Sequence, residues 1–421
     1  MMPKSAATIF FAISLVVLAV IGCGEKNGPL VITHVTVIDG TGKAAASDMT
    51  VVIRGAHIAE MDSSDGISIP KDARVIDGTG KFLIPGLWDM HGHLTDATEG
   101  ALPLLIENGV TGVRDMGGEL DQVDRWRKEI ADGTRLGPHI VRAGPIIDGP
   151  SEAKHHLSVN NPAEAVQVVD SLKALGVDFI KTHNALSRES FFALMDEARK
   201  QGIRVAVHLP RQVSVTEASD AGAASLEHIE MMIASAAYTI GPTAKRVDDV
   251  LPAITGEAGA AIFATLVKNG TWYVPTLVAY ERGFVLWGSD PAKVALRARV
   301  QGHHLGLVKA MHEAGVQIMT GSDFSDWAVV PGIDLHNELA LLVEAGFTPM
   351  EALQAATIKP ATFLGMQDSL GTVEVGKVAD LVLLDADPLE DISHTRKIRA
   401  VVVGGRLVPV AELRSGFTNP R

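Results

Sequence analysis

The side chains best suited to chemistry are six residues of metal-ligating type, each following an apolar, strand-like run. The first two lie two residues apart. Because side chains of an extended strand alternate, both imidazoles point to one side and can reach one cation. Taken alone, each of these six residues could equally be an ordinary core or surface residue. Together, imidazole and oxygen donors without a thiolate favour Zn(II), with Mn, Fe, Co and Ni as alternatives. The six are His91, His93, Lys181, His208, His228 and Asp323.

Lys181 is the least expected of these residues, because it directly follows the apolar pair Phe179 and Ile180. Burial of an ammonium group is costly, so two interpretations stand side by side. In the ordinary one, the aliphatic stem packs on the protein and the charge stays in water. In the other, the amine has reacted with CO2, and the two oxygens of the carbamate anion bridge two cations.

The scaffold that must position these residues alternates strands with helices. Strand-like runs are predicted to end near His91, Arg114, Arg142, His183, His208, His228, Thr276 and Asp323. Helices are predicted between them, for example over Ala163–Leu175, Arg188–Gln201 and Pro349–Ala356. Eight such units over residues 83–365 predict a (β/α)8 TIM-type barrel, whose active sites lie at the carboxyl ends of the strands. A doubly wound open sheet is the alternative, although neither a GxGxxG motif nor a P-loop occurs.

Short alternating runs separated by turn dipeptides predict strands before and after the barrel, over residues 31–82 and 366–412, with a tail at 413–421. The beginning of the chain has another character. Lys4 precedes an apolar run from Ile9 to Ile21, and Cys23, the single cysteine, follows Gly22. This pattern resembles a bacterial lipobox, so residues 1–22 are predicted to be a signal peptide. Cys23 would then carry a lipid, with residues 23–30 as a tether to the bacterial cell envelope. An ordinary signal peptide with a chance cysteine is the alternative.

Composition narrows the function class. The chain of 421 residues has 37 Lys and Arg residues and 50 Asp and Glu residues, which gives a net charge of −13. Only 5% of its residues are aromatic. An acidic chain with few stacking rings is not expected to bind nucleic acid. The hydrophobic fraction of 47% is ample for a large core. The sequence leaves the oligomeric state open, with a homo-oligomer allowed.

The ligand order resembles that of binuclear enzymes of the amidohydrolase superfamily: HxH after the first strand, Lys after the fourth, His after the fifth and sixth, Asp after the eighth. The stretches Leu83–His93, Ser225–His228, Tyr273–Leu277, Thr320–Asp323 and Gly371–Val382 are similar as well. The closest similarity is to the imidazolonepropionase-like branch, which includes Xaa-Pro dipeptidases with a carboxylated lysine. This resemblance implies that both chain ends join in one small β-sandwich.

The resemblance also implies roles for the six residues. His91, His93 and Asp323 would hold one divalent metal, with zinc favoured by the ligand types, and His208 and His228 would hold a second. A CO2-modified Lys181 and a hydroxide would bridge the two ions. Asp323 would take the proton of the hydroxide and pass it to the leaving amine, and His183 would stabilise the oxyanion.

Departures from the family pattern narrow the reaction. Imidazolonepropionase proper lacks the lysine, so Lys181 argues against that activity. Superfamily deaminases carry an acid where this chain has Arg211, which disfavours deamination. Arg211 is instead a candidate substrate contact or a surface ion-pair partner, and Tyr280 is a candidate pocket residue. His155 and His156, in a polar loop, either contact substrate or are solvated.

The predicted function is hydrolysis of a C–N amide bond in a small substrate, with a dipeptide or an N-acyl amino acid favoured. Hydrolysis of a cyclic amide or a lactone is the alternative within the superfamily. A non-catalytic binding lipoprotein is the alternative outside it, although a binding protein needs neither Asp323 nor a lysine bridge.

Overall fold

The computed structural model describes residues 28–97, 100–240, 254, 256–285, 290–325 and 328–410. The predicted signal peptide, Cys23 and the tail at 413–421 lie outside these residues. Within the described part, no helix combines the length and the apolar character needed to cross a membrane.

Two groups of strands build the molecule, one at the chain ends and one between them. In chain order they are β1 (Leu30–Val37), β2 (Ala46–Arg54), β3 (His57–Ser63), β4 (Arg74–Asp77), β5 (Phe82–Pro85), β6 (Leu87–Gly92), β7 (Val110–Asp115), β8 (His139–Arg142), β9 (Ile146–Asp148), β10 (His156–Ser158), β11 (Ile180–Thr182), β12 (Val205–Val207), β13 (Ser225–Glu227), β14 (Trp272–Val274), β15 (Leu381–Leu384), β16 (Ile398–Val403) and β17 (Arg406–Pro409).

Helices follow most of the central strands. They are α1 (Leu94–Ala97), α2 (Ala101–Glu107), α3 (Leu120–Ala131), α4 (Pro162–Ala174), α5 (Arg188–Gln201), α6 (Val215–Asp220), α7 (Ile229–Ile240), α8 (Glu257–Asn269), α9 (Leu277–Val285), α10 (Pro291–Glu313), α11 (Ile333–Glu344), α12 (Pro349–Ala355) and α13 (Ile358–Leu364). The three helices predicted from sequence correspond to α4, α5 and α12.

Local chemistry explains where these three helices begin. The Asn161, Ser187 and Thr348 side chains each accept a hydrogen bond from a backbone N–H of the first turn. Such caps satisfy donors that have no partner inside the helix. Helix α5 then ends at Gly202, whose φ of 67° suits a residue without a Cβ.

The central strands form a TIM-type barrel. One sheet runs β6-β7-β8, and another runs β10-β9-β11-β12-β13-β14. The third barrel position is shared by β8 and β9, and His183 N donates to Ile147 O at 2.8 Å to join it to the fourth. The eighth position is a segment held by the bridges Tyr273↔Ile318 and Gly92↔Phe324, which link β14 back to β6.

The segment at the eighth position has isolated bridges instead of a regular strand, and it runs very close to its neighbours. A Cβ on Gly321 would lie 2.5 Å from Val274 Cγ1 and 2.7 Å from His91 Cβ. Ladder-type hydrogen bonds persist on both sides, for example from Asp323 N to His91 O at 2.7 Å. Asp323 therefore lies directly beside β6, the first strand of the barrel.

Strands from the two chain ends pair with each other in one sheet. Strand β15 pairs antiparallel with β5, and the hydrogen-bonded order is β17-β16-β15-β5-β1-β2-β3, with β4 also on β1. Leu30, Ile53 and Leu83 from the first end and Leu381 and Val402 from the second share one apolar cluster. This module is a single continuous sheet around its own core.

Candidate active site

The first ligand pair lies at the carboxyl end of β6, facing the end of β11 and the eighth segment. His91 Nε2 lies 3.2 Å from Lys181 Nζ and 3.4 Å from Asp323 Oδ1. His93 Nε2 lies 3.4 Å from the same carboxylate oxygen. His91 and His93 therefore both lie beside one oxygen of Asp323, and Lys181 lies beside His91.

The other two histidines complete the cluster from β12 and β13. His228 Nδ1 lies 3.7 Å from Asp323 Oδ2. The His228 ring centroid is 4.5 Å from that of His91 and 4.8 Å from that of His208. One ligand atom each of His91, His228 and Asp323 lies within 4.8 Å of the other two. All six side chains predicted from sequence are thus brought together.

Backbone strain marks the same region. His228, Thr276 and Asp323 have φ values of 68°, 50° and 60°. Non-glycine residues rarely adopt this left-handed conformation, and they persist there when the surrounding structure fixes them. The strain turns two candidate ligands at the ends of their strands, and Thr276 Oγ1 lies 3.0 Å from His228 Nδ1.

A buried ion pair behind the cluster was not predicted from sequence. Glu227 Oε2 lies 2.8 Å from His91 Nδ1, and Arg114 NH2 donates to both Glu227 oxygens at 2.8 and 2.9 Å. Ser225 Oγ donates to the same carboxylate at 2.5 Å. Glu227 and Arg114 are essentially inaccessible to solvent. The carboxylate fixes the orientation of His91, as outer partners of metal-ligating histidines do.

A second buried carboxylate ties β6 to the eighth segment. Asp89 Oδ1 accepts from Ser322 N at 2.9 Å and from His91 N at 3.1 Å. Asp89 Oδ2 accepts from Ser322 Oγ at 2.5 Å. Burial raises the pKa of Asp89 to about 6 despite these hydrogen bonds. The network holds His91 and Asp323 at a fixed spacing.

Burial also sets the protonation of the candidate ligands. It lowers the pKa of His91, His208 and His228 well below the ordinary histidine value, and neighbouring cationic groups add to the effect. Burial lowers the pKa of Lys181 to about 8, against the opposing charges of Glu227 and Asp323. Neutral imidazoles are the form that binds metal, and a neutral amine is the form that reacts with CO2.

The cluster fits a divalent metal. Its donors are imidazole nitrogens and carboxylate oxygens, the ligand set of catalytic zinc. His208 Nε2 is buried and has no hydrogen-bond partner among the described residues. Such a polar atom is costly unless something binds it. The residues that would hold metal in this cluster are the six named above.

The comparison with protein families decides the identification. A model described as the amidohydrolase family matches residues 82–408, which is most of the chain. This chain belongs to the amidohydrolase family. The predicted superfamily is therefore confirmed, and this amidohydrolase is a metal-dependent hydrolase acting on C–N bonds.

Three relatives show how far the similarity extends. The amidohydrolase is 26% identical to an ochratoxinase of Aspergillus niger over 395 residues, covering 77% of this chain and 75% of the relative. It is 25% identical to an imidazolonepropionase of Symbiobacterium thermophilum, covering 93% and 97%. A solved structure of a candidate prolidase from Bifidobacterium longum is 27% identical with a TM-score of 0.74, covering 93% and 100%.

His183 and His156, which were predicted as an oxyanion donor and a possible substrate contact, lie together beside the six-residue cluster. His183 lies next to His208, with ring centroids 4.2 Å apart, and its Nδ1 lies 2.9 Å from Asp148 Oδ2. His156 is part of β10 rather than a loop, and its Nδ1 lies 3.0 Å from the same oxygen. The role of His183 toward an oxyanion stays a prediction. Asp148, which orients both rings, was missed because its only sequence signal is a position at the end of a short apolar run.

His155 is enclosed by carboxylates rather than solvated. Its side chain is 2% exposed, with Nδ1 2.9 Å from Glu119 Oε1 and Nε2 3.2 Å from Asp96 Oδ1. Nδ1 is hydrogen-bonded within the protein, whereas the buried Nε2 makes no hydrogen bond to a described residue, and a substrate contact of His155 stays a prediction.

Arg211 and Tyr280 are the two remaining candidate substrate contacts. Arg211 is exposed and lines a cavity of about 250 Å³ together with Asn184 and Met231. Tyr280, on α9, packs edge-to-face on His304 with ring centroids 5.3 Å apart. Their substrate-binding roles stay predictions.

Proposed function

We propose that this amidohydrolase uses a binuclear metal centre to cleave the C–N amide bond of a small substrate, a dipeptide or an N-acyl amino acid. The observation that carries the proposal is the convergence of six side chains, from five strand ends or segments, into one cluster around Asp323. His91, His93 and Asp323 would hold one ion, and His208 and His228 the other.

Lys181, once carboxylated, is the residue that would bridge the two metal ions. Its Nζ lies 3.2 Å from His91 Nε2, and the side chain is buried. No carboxylate lies within ion-pair distance of it among the described residues, so an ammonium at this place would be poorly compensated. Carboxylation by CO2 converts the amine into an anion that suits two cations, and the depressed pKa of Lys181 favours the neutral amine that this step requires.

Bound divalent ions, zinc by ligand type, would lower the pKa of a shared water toward about 7 and polarise the substrate carbonyl. The remaining tasks fall to the protein. The Asp323 side chain is 23% exposed, more than the His91 and His93 side chains at 0% and 14%, so its carboxylate can reach the attacking water. It takes the water proton and delivers it to the leaving nitrogen. Glu227 and Asp89 hold His91 in place throughout.

The experiment is a substrate screen of the full-length chain, supplied with Zn(II) and bicarbonate and monitored for amine release. Dipeptides come first, with Xaa-Pro peptides among them because a prolidase is among the relatives; N-acyl amino acids, lactams and lactones form the other arms. Turnover of linear amides supports the proposal. Turnover confined to lactams or lactones supports the cyclic alternative, and metal-loaded protein without any turnover supports the binding-protein alternative.

Lysine replacement tests the bridge. Lys181→Ala is expected to lose one of two bound ions and its turnover, whereas Lys128→Ala, at a lysine whose side chain is 76% exposed, retains both. Full activity in the first variant would rule out the bridge.

We also propose that Cys23 anchors the enzyme to a bacterial envelope. The support is the pattern of Lys4, the apolar run from Ile9 to Ile21, and Gly22 before Cys23. Metabolic labelling with a fatty acid is expected to mark the wild type and not Cys23→Ala. Equal labelling of both would contradict the anchor.

A further inference from the structure

A second group of metal-ligating side chains lies beside the six-residue cluster. Asp148 ends β9, His156 begins β10, and His183 follows β11. One ligand atom from each lies within 4.8 Å of the other two. The group borders the first cluster through the contact of His183 with His208, but it shares no residue with the six candidate ligands.

The geometry of this group is held from behind by the backbone. Asp148 Oδ1 accepts from Gly149 N at 2.9 Å and from Ala185 N at 2.7 Å. The other oxygen, Oδ2, faces His183 Nδ1 at 2.9 Å and His156 Nδ1 at 3.0 Å. One carboxylate oxygen and two imidazole nitrogens therefore converge without needing a change of rotamer.

The carboxylate of the group is ionised and has no permanent cation beside it. The Asp148 side chain is only 4% exposed, and its ion-pair partners within the described part of the chain are the two imidazoles. No lysine or arginine of that part pairs with it. Hydrogen bonds from two backbone N–H groups stabilise the ionised form, which is the form that binds a cation. The imidazoles are more open, at 11% and 27% exposure, so a small cation can arrive from their side.

We propose that Asp148, His156 and His183 bind a third divalent cation, of the zinc class, outside the predicted binuclear centre. Two imidazole nitrogens and one carboxylate oxygen are a ligand set that zinc accepts, with a remaining position for water or a substrate group. Zinc bonds of about 2.0–2.1 Å place tetrahedral ligand atoms about 3.3 Å apart, so the hydrogen-bonded separations must widen by only a few tenths of an ångström.

Binding has two consequences for the protein. The cation replaces the two Nδ1 hydrogen bonds to Asp148, so each ring keeps its proton on Nε2. For His183 this is the tautomer that an oxyanion donor requires. The cation also ties β10 to the ends of β9 and β11, which secures the connection over residues 149–155.

The test is a count of metal ions per chain. Full-length wild type and variants are dialysed against a zinc buffer, and bound zinc is measured by mass spectrometry alongside circular dichroism to verify folding. We expect His156→Gln and Asp148→Asn each to bind one ion fewer than wild type. His57→Ala, which removes an exposed histidine of the terminal sheet, is expected to bind the wild-type number.

Equal zinc content in wild type and His156→Gln would overturn the third site and leave the proposed function intact. Loss of ions in Lys181→Ala but not in His156→Gln would have the same meaning. If a variant fails to fold, anomalous scattering from zinc-loaded wild-type crystals decides instead. A peak between Asp148, His156 and His183 supports the site, and no peak there in crystals that show peaks at the six-residue cluster refutes it.

Discussion

The buried pair of Glu227 and Arg114 gives the sharpest mutational prediction. In Glu227→Gln the side-chain volume is kept, but a carboxylate that serves three partners becomes a neutral amide. Arg114 loses the anionic partner that it holds at 2.8 and 2.9 Å, and His91 loses the acceptor at 2.8 Å that orients its ring. The new amide N–H group also faces donors rather than acceptors.

The magnitude follows from burial. Both members of the pair are at most 1% exposed, so solvent cannot replace the missing charge. Breaking such a pair by removing one partner costs about 3–5 kcal/mol, because the other charge is left uncompensated. Loss of an outer partner of a ligating histidine lowers metal affinity by about 10–100-fold. We therefore expect both a large fall in the free energy of unfolding and weaker metal binding.

The assay combines urea unfolding of metal-free protein with zinc competition against a chelator. The matched control is Glu60→Gln, which breaks the Arg54–Glu60 pair at 3.3 Å, where the side chains are 50% and 53% exposed. An exposed pair of this kind contributes about 0–1 kcal/mol. A stability loss for Glu227→Gln no larger than that of the control, with unchanged zinc affinity, would refute the reasoning.

Other perturbations separate the remaining parts of the account. Carboxylation of Lys181 in metal-free enzyme can be followed with labelled CO2 at a fixed dissolved concentration. The carboxylated fraction is expected to rise with pH and reach its half-maximum near pH 8, because only the neutral amine reacts and burial lowers the lysine pKa to about 8. A half-maximum above pH 10 would contradict this expectation. Gly321→Ala places a Cβ 2.7 Å from His91 Cβ and is expected to cost about 1–3 kcal/mol in thermal or urea unfolding. Gly302→Ala, in helix α10 with no described atom within 4 Å of the new Cβ, is expected to gain about 0.5–1 kcal/mol, and equal effects of the two changes would show that crowding at Gly321 is unimportant. Removal of metal with a chelator is expected to abolish amide turnover, and zinc with bicarbonate to restore it; turnover that survives verified metal removal would exclude a metal-dependent reaction.

The alternation of strand-like and helical stretches was sufficient to predict the barrel. Helix α5, for example, spans the predicted residues Arg188–Gln201. The ligand-bearing strand ends could also be predicted, because a polar residue directly after an apolar run differs from its neighbours. The eighth position was predicted as a strand ending near Asp323, and the structure has isolated bridges there instead of a regular strand. The local sequence does not reveal this, because the pairing depends on contacts with β6 and β14.

The supporting residues could not be predicted, because their roles depend on pairings between distant parts of the chain. Arg114 and Glu227 are 113 positions apart, and His183 and Asp148 are 35 apart. Nothing in the local sequence around these residues indicates that they pair with each other. The network that orients the ligands is therefore a property of the tertiary fold, whereas the ligands themselves follow from local sequence.

The most direct measurement is a crystal structure of the enzyme loaded with zinc in the presence of bicarbonate, with anomalous data at the zinc edge. The account predicts two ions among His91, His93, His208, His228 and Asp323, bridged by extra density on Lys181 Nζ. An unmodified Lys181 together with a single ion, or with no ion, at these residues would contradict it.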